Sequence, residues 1–181
     1  ALGAAGIDEG KQVVAYDSQE SVNASRLWWM LRWLGHNAVA VLDGGWRRWV
    51  EEERPYSAEI PRPAPTIFLP KPRAGYVDVK FVLSHLERQD MLIVDARSAE
   101  RFRGEAEPID PVAGHIPTAK SAPTGGNIGP DMRFLEPEVL RARFEDLGCF
   151  APGGTVTSCG SGVSACHNAL AMRIAGLPDP I

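Results

Sequence analysis

The chain has 181 residues, of which 44% are hydrophobic and 23% charged, and a formal net charge of −4. That is the balance of a globular chain, long enough for one domain or a small tandem pair. With no lysine–arginine stripe and no long apolar run, it argues against a nucleic acid or a membrane as partner.

Three cysteines, an odd number without framework spacing, point to free thiols in a reducing, cytoplasmic setting. Cys159, Cys166 and His167 match no zinc-ligand spacing, so no metal is expected. The start, Ala1-Leu2-Gly3-Ala4-Ala5-Gly6, lacks the basic flank and apolar core of a signal peptide.

In chain order, Val13 to Tyr16 reads as a buried strand and Asp17 to Ser25 as a polar loop. Arg26 to Leu34 is a helix apolar on most faces, expected to be buried on more than one side and stopped by Gly35. Val39 to Leu42 is a second strand, Asp43-Gly44-Gly45 a turn, and Trp46 to Glu53 a helix ending before Pro55. Pro61, Pro63, Pro65, Pro70 and Pro72 suppress helix and central strand, which predicts a stiff extended linker over residues 61–74.

A second segment then opens with an amphipathic helix, Val79 to Arg88, and a buried strand, Met91 to Val94, that ends at Asp95-Ala96-Arg97. A polar excursion runs to Gly114-His115-Ile116-Pro117, and a loop spans Asn127 to Met132. Pro137 to Leu147 reads as a helix with proline in its first turn. Cys149 falls in a loop with Ala151-Pro152-Gly153-Gly154. Thr155 to Ser158 is a strand, and the stripe Val163, Cys166, Leu170, Ile174 marks a helix stopped at Gly176. Strands alternating with helices predict an α/β fold with parallel sheets.

The last unit has an earlier counterpart. Strand, loop and helix from Val14 to Gly35 parallel those from Thr155 to Gly176; aligned on the two glycines, they differ by one loop residue and set Asp17 opposite Cys159. The chain thus reads as two copies of one unit with a nucleophile only in the second. Neither copy is complete, and the sequence reads as part of a longer chain.

Cys159 stands where a strand hands over to a helix N-terminus, whose free N–H groups and dipole favour a thiolate. Gly160 and Gly162 let the backbone bend into an anion cradle, and Ser161 and Ser164 can add hydroxyl hydrogen bonds. Cys166 lies on the apolar helix face and belongs to the core. A cysteine-dependent phosphatase or arsenate reductase relative would need an arginine at the end of the loop, where this chain has Ala165. A compact loop suits sulfur better than phosphate. Sulfur transfer through a Cys159 persulfide, without a cofactor, fits the residues best. A non-enzymatic sulfur-relay or binding module is the alternative.

The stretch Cys159-Gly160-Ser161-Gly162-Val163-Ser164 closely resembles the active loop of tandem-domain rhodaneses, most of all their 3-mercaptopyruvate sulfurtransferase branch. The resemblance extends over nearly the whole chain. Tyr16-Asp17, Trp28-Trp29 and Leu42-Asp43-Gly44-Gly45-Trp46 look like the catalytically silent first domain. Asp95-Ala96-Arg97, Arg101-Phe102-Arg103-Gly104 and Gly114-His115-Ile116-Pro117 look like the second.

The resemblance implies two rhodanese-like domains with parallel sheets flanked by helices, each incomplete here: residues 1–60 silent, 75–181 catalytic. It makes Cys159 the persulfide carrier and Ser161 a proton handler. Gly160, Gly162, Val163 and Ser164 form the substrate cradle, and Arg101 receives the anionic group of the donor. Arg97 reads as a structural ion-pair partner and His115 as a packed turn residue. The implied donor is 3-mercaptopyruvate or thiosulfate; the acceptor is cyanide or a thiol, including that of a thioredoxin-like reductant. One departure stands out. Where mercaptopyruvate enzymes carry a second donor-binding arginine, Glu105 to Asp110 is acidic.

Overall fold

The computed structural model describes residues 1–88, 90–150 and 154–181. The first half runs β1 (Val13–Ala15), α1 (Val22–Trp33), β2 (Val39–Val41) and α2 (Gly45–Glu51), with β1 and β2 paired in parallel. No helix or strand is assigned from there to α3 (Val79–Arg88). The proline-rich stretch lies back along the first half: the Thr66 N–H donates to the Gly3 carbonyl, and the Lys71 and Arg73 N–H groups donate to those of Leu34 and Trp33.

The second half continues with β3 (Leu92–Asp95), α4 (Ala99–Arg103), β4 (Lys120–Ser121), α5 (Pro137–Asp146), β5 (Thr155–Ser158) and α6 (Val163–Ile174). Its sheet has the order β4-β3-β5, all parallel, with Asp95 level with Ser158 at the carboxyl edge. Loops at that edge of a parallel sheet carry ligand sites in α/β folds. The α/β architecture matches the sequence reading, while α4 lies where only a polar excursion was expected and β4 just beyond it, where no element was expected. The Ala151–Gly153 part of the loop expected after Cys149 lies outside the described residues.

The two copies of the strand–loop–helix unit follow one course. Each ends in a helix of 12 residues, and the two helices, α1 and α6, pack against each other as the seam between the halves. α1 begins at Val22, earlier than expected, because Glu20 and Ser21 both take left-handed conformations and turn the chain sharply. It is not buried all round, as its composition suggested. Trp28 and Leu31 face inward, while Leu27 and Met30 are each 38% exposed. α6 is enclosed instead, with every residue from Ala165 to Met172 buried. Around it lies a core of Val94, Leu140, Phe144, Cys149 and Met172.

A polar network crosses this core. Asn127, His167 and Asn168 are fully buried. Asn127 donates to Asn168 Oδ1 at 2.7 Å and contacts His167 Nδ1 at 3.1 Å, and its own oxygen accepts from Arg143. Asn168 donates to the Ala122 carbonyl. His167 Nε2 lies 3.0 Å from the Glu20 carbonyl in the first half. That arrangement is satisfied by the neutral tautomer with the proton on Nε2.

Burial is the main reason the His167 pKa drops from 6.5 to about 4. The folded chain therefore binds this proton less readily than the unfolded chain between those two values. Stability is complete above pH 6.5 and falls as the pH drops toward 4, by about 3 kcal/mol in all. Urea unfolding across this range should show that slope in the native chain and lose it in His167→Gln.

Candidate active site

Both helix starts at the seam present N–H groups that need an acceptor. In the first half the carboxylate of Asp17 supplies it. Its Oδ1 accepts from the N–H groups of Gln19 (2.8 Å) and Ser21 (3.0 Å), and its Oδ2 from that of Ala24 (2.8 Å). In the second half the acceptor is sulfur: the Gly162 N–H donates to Cys159 Sγ at 3.0 Å. Gly162 caps α6 with φ +74°, a conformation that glycine adopts without strain. The sequence alignment of Asp17 with Cys159 thus corresponds to a shared position and a shared task, met by a carboxylate in one half and a thiol in the other.

Cys159 is the half-buried cysteine, while Cys149 and Cys166 are buried and burial pushes both their thiols up. Cys166 Sγ donates to the Gly162 carbonyl at 3.0 Å. Gly160 and Ser161 are exposed, and Val163 and Ser164 half-buried, so the loop opens outward at its tip and is anchored at the helix. Ala165, where a phosphatase would place arginine, is buried at the base of α6.

The cleft beside Cys159 measures about 370 Å³, the size of a small-molecule site, and its lining includes Asp95, Arg97, Asp110, His115 and Gly160. Arg97 holds one wall. Its guanidinium contacts Asp95 at 2.7 Å, the Gly114 carbonyl at 2.6 Å and Glu107 at 3.3 Å. The hydrogen bond to Asp95 is what chiefly raises Arg97 above the ordinary arginine range. His115 stacks on Phe102 with ring centroids 3.8 Å apart and its Nδ1 2.7 Å from the Phe102 carbonyl. Arg97 is thus the ion-pair partner the sequence suggested, whereas His115, expected to be packed, stacks on Phe102 but stays exposed and lines the cleft.

Arg101, on the short helix α4, reaches the loop: a Cβ placed on Gly160 would stand 3.7 Å from its Nη2. That nitrogen is also 2.7 Å from Glu107 Oε1 and 2.9 Å from Asp110 Oδ2. Hydrogen bonds from Arg101, then from the backbone N–H groups of Asp110 and Ile109, hold the Glu107 carboxyl down to about 2. The acidic stretch noticed in the sequence is thus folded onto the arginine expected to bind the donor.

Arg26 was not expected at the site. It crosses from α1 to bring Nη1 within 3.4 Å of the Gly162 carbonyl and 3.6 Å of Cys166 Sγ. Nothing in the sequence near either residue announces this contact. Among the described residues, no group of three His, Cys, Asp or Glu side chains is placed to hold a metal ion. No helix among them is long and apolar enough to cross a membrane.

Comparison with known proteins agrees with this geometry. The rhodanese-like domain family matches residues 2–52, in the half that carries Asp17. Over 182 residues the chain is 42% identical to a probable 3-mercaptopyruvate sulfurtransferase of Pseudomonas aeruginosa, covering 99% of this chain and 64% of that protein. It is 36% identical to the thiosulfate sulfurtransferase of Bos taurus, covering 98% of this chain and 62% of that one. The crystal structure of SseA from Escherichia coli, a 3-mercaptopyruvate sulfotransferase of the rhodanese fold, superposes with a TM-score of 0.78 at 28% identity; the match covers 98% of this chain and 67% of SseA. The chain has the rhodanese fold, and it spans somewhat less than two thirds of the length of those two curated relatives.

Two substitutions test the scaffold. Arg97→Met leaves the buried Asp95 carboxylate without its partner and should cost about 3–5 kcal/mol in urea unfolding. Asp17→Ala removes the acceptor for three N–H groups at the start of α1 and should cost about 1–2 kcal/mol by the same measurement.

Proposed function

We propose that the chain transfers sulfur through a persulfide on Cys159. The observation that carries this reading is a half-buried thiol sulfur 3.0 Å from the Gly162 N–H, at the start of a helix and lining a cleft, with Arg101 close to the neighbouring Gly160. A helix N-terminus stabilises a thiolate and, equally, the negative sulfur of a persulfide. The residues 1–60 act as the silent domain, 61–74 as the linker and 75–181 as the catalytic domain.

In the donor half-reaction the Cys159 thiolate attacks the sulfur to be transferred. With thiosulfate the S–S bond breaks and its electron pair leaves with sulfite. With 3-mercaptopyruvate the C–S bond breaks and the pair stays on carbon, which takes up a proton to give pyruvate; in this reading Ser161 handles that proton. In the second half-reaction an acceptor nucleophile, cyanide or a thiol such as that of a thioredoxin-like reductant, removes the outer sulfur and restores the thiolate. The cycle is ping-pong and uses no cofactor. Gly160, Gly162, Val163 and Ser164 form the cradle, and Arg101 receives the anionic group of the donor. The three free cysteines suit a reducing, cytoplasmic location.

One observation favours a second reading. Arg101 already holds two carboxylates, which suits a module loaded by another protein's persulfide instead of by a small anion. Mass measurement of the Cys159 peptide after incubation with each small donor separates the two. A gain of one sulfur atom is expected, and Cys159→Ser should abolish transfer. No gain with either donor would sink the enzymatic reading. Arg101→Ala should raise the KM for donor about tenfold or more, with a smaller effect on kcat.

A further inference from the structure

We infer that Asp110 sets the charge selectivity of the cleft, by keeping a carboxylate on the guanidinium that receives the anionic group of the donor. This rests on the reading of Cys159 and Arg101 given above. The two acidic partners of Arg101 are not equivalent. Glu107 is enclosed, with 5% of its side chain exposed, and it also accepts from the Ile109 and Asp110 N–H groups and from Arg97. It is part of the scaffold that aims the guanidinium.

Asp110 is 39% exposed, and among the described residues its carboxylate has only the edge of Arg97, at 4.0 Å, as a further cationic neighbour. It is turned toward the catalytic loop. A Cβ on Gly160 would lie 3.6 Å from Asp110 Oδ2, beside the Arg101 nitrogen at 3.7 Å. The carboxylate thus occupies the open side of Arg101 where that side faces the cysteine loop.

The charges are unbalanced. Arg97 and Arg101 are matched by the buried Asp95 and Glu107. Asp110 is the surplus, and it leaves the cluster with one net negative charge. An incoming anion must displace it or bear its repulsion. Coulomb energy is linear in the charge of the donor, so a dianion is disfavoured twice as much in free energy as a monoanion. The disadvantage of a dianion, as a ratio, is then the square of that of a monoanion. Thiosulfate is a dianion near neutral pH and 3-mercaptopyruvate a monoanion, so Asp110 tilts the site toward the less charged donor.

The test is kcat/KM for each donor at saturating acceptor, which in ping-pong kinetics reports the donor half-reaction alone. It compares the full chain with Asp110→Asn and Asp110→Glu. Because Asp110 is partly exposed, the gain in Asp110→Asn should be about threefold for 3-mercaptopyruvate and about tenfold for thiosulfate, carried by KM. Asp110→Glu, which keeps the charge, should retain the native donor ratio. Added salt should lower the native KM for thiosulfate and do so less in Asp110→Asn.

A change in the basicity of Cys159 or in loop packing would move both donors by the same factor, so the donor ratio is the deciding quantity. Equal changes for the two donors, or no gain in Asp110→Asn, overturn the inference. If that happens while Cys159 still gains sulfur and Arg101→Ala raises KM, the function stands and only the role of Asp110 is lost. If Cys159 gains no sulfur from either donor, the function itself has failed and the inference falls with it.

Discussion

An α-helix that starts against the edge of a sheet exposes backbone N–H groups that must find acceptors. This chain meets that demand twice at one seam, in two ways. At α1 the protein fills the place with the Asp17 carboxylate, and three N–H groups converge on it. At α6 the place is given to the Cys159 sulfur, which is held by the Gly162 N–H and left partly open. The same backbone arrangement is closed in one half and partly open in the other. A carboxylate fully engaged with backbone donors offers no nucleophile, whereas a thiol at a helix start is favoured as thiolate.

What holds α6 in place comes from both halves. α6 is enclosed by its own sheet, by α5 and by α1, so its N-terminus cannot shift without disturbing the core. Buried polar groups make the arrangement specific. Asn127, His167 and Asn168 satisfy one another and reach the Ala122 and Glu20 carbonyls, the last across 147 residues of sequence. Leaving such groups unpaired in the interior is costly, so the network admits one registration of α6 against the first half. The strained turn at Glu20 and Ser21 fits the same logic, since it presents the carbonyl that His167 meets. Arg26 adds a cation close to the Gly162 peptide from the opposite side.

Around the cleft, charge is arranged in layers. Asp95 and Arg97 form a buried pair at the sheet edge, Glu107 ties that pair to Arg101, and Asp110 stands outermost. The inner members shape the wall. The outer member is the most exposed carboxylate of the cluster.

By itself the sequence determined the features that depend on neighbours along the chain. Short apolar runs and glycine stops located β1, β2, β3, β5 and the α3, α5 and α6 helices, and the proline spacing marked a stretch without helix or strand, because each pattern acts within a few residues. It also placed Cys159 in a glycine loop between strand and helix and, through the repeat, opposite Asp17. Only the tertiary structure decided what joins distant residues. The inward and outward faces of α1 depend on where α6 packs, so composition alone overstated its burial. α4 and β4 are too short to show a period, and they exist because Ser98 caps the one and β3 pairs with the other. The hold of Glu107 and Asp110 on Arg101, the reach of Arg26 to Gly162 and the bond of His167 to Glu20 are side-chain geometries between separate elements. Local sequence carries the residue types for these contacts, but their distances arise only when the two halves close on the α1–α6 seam.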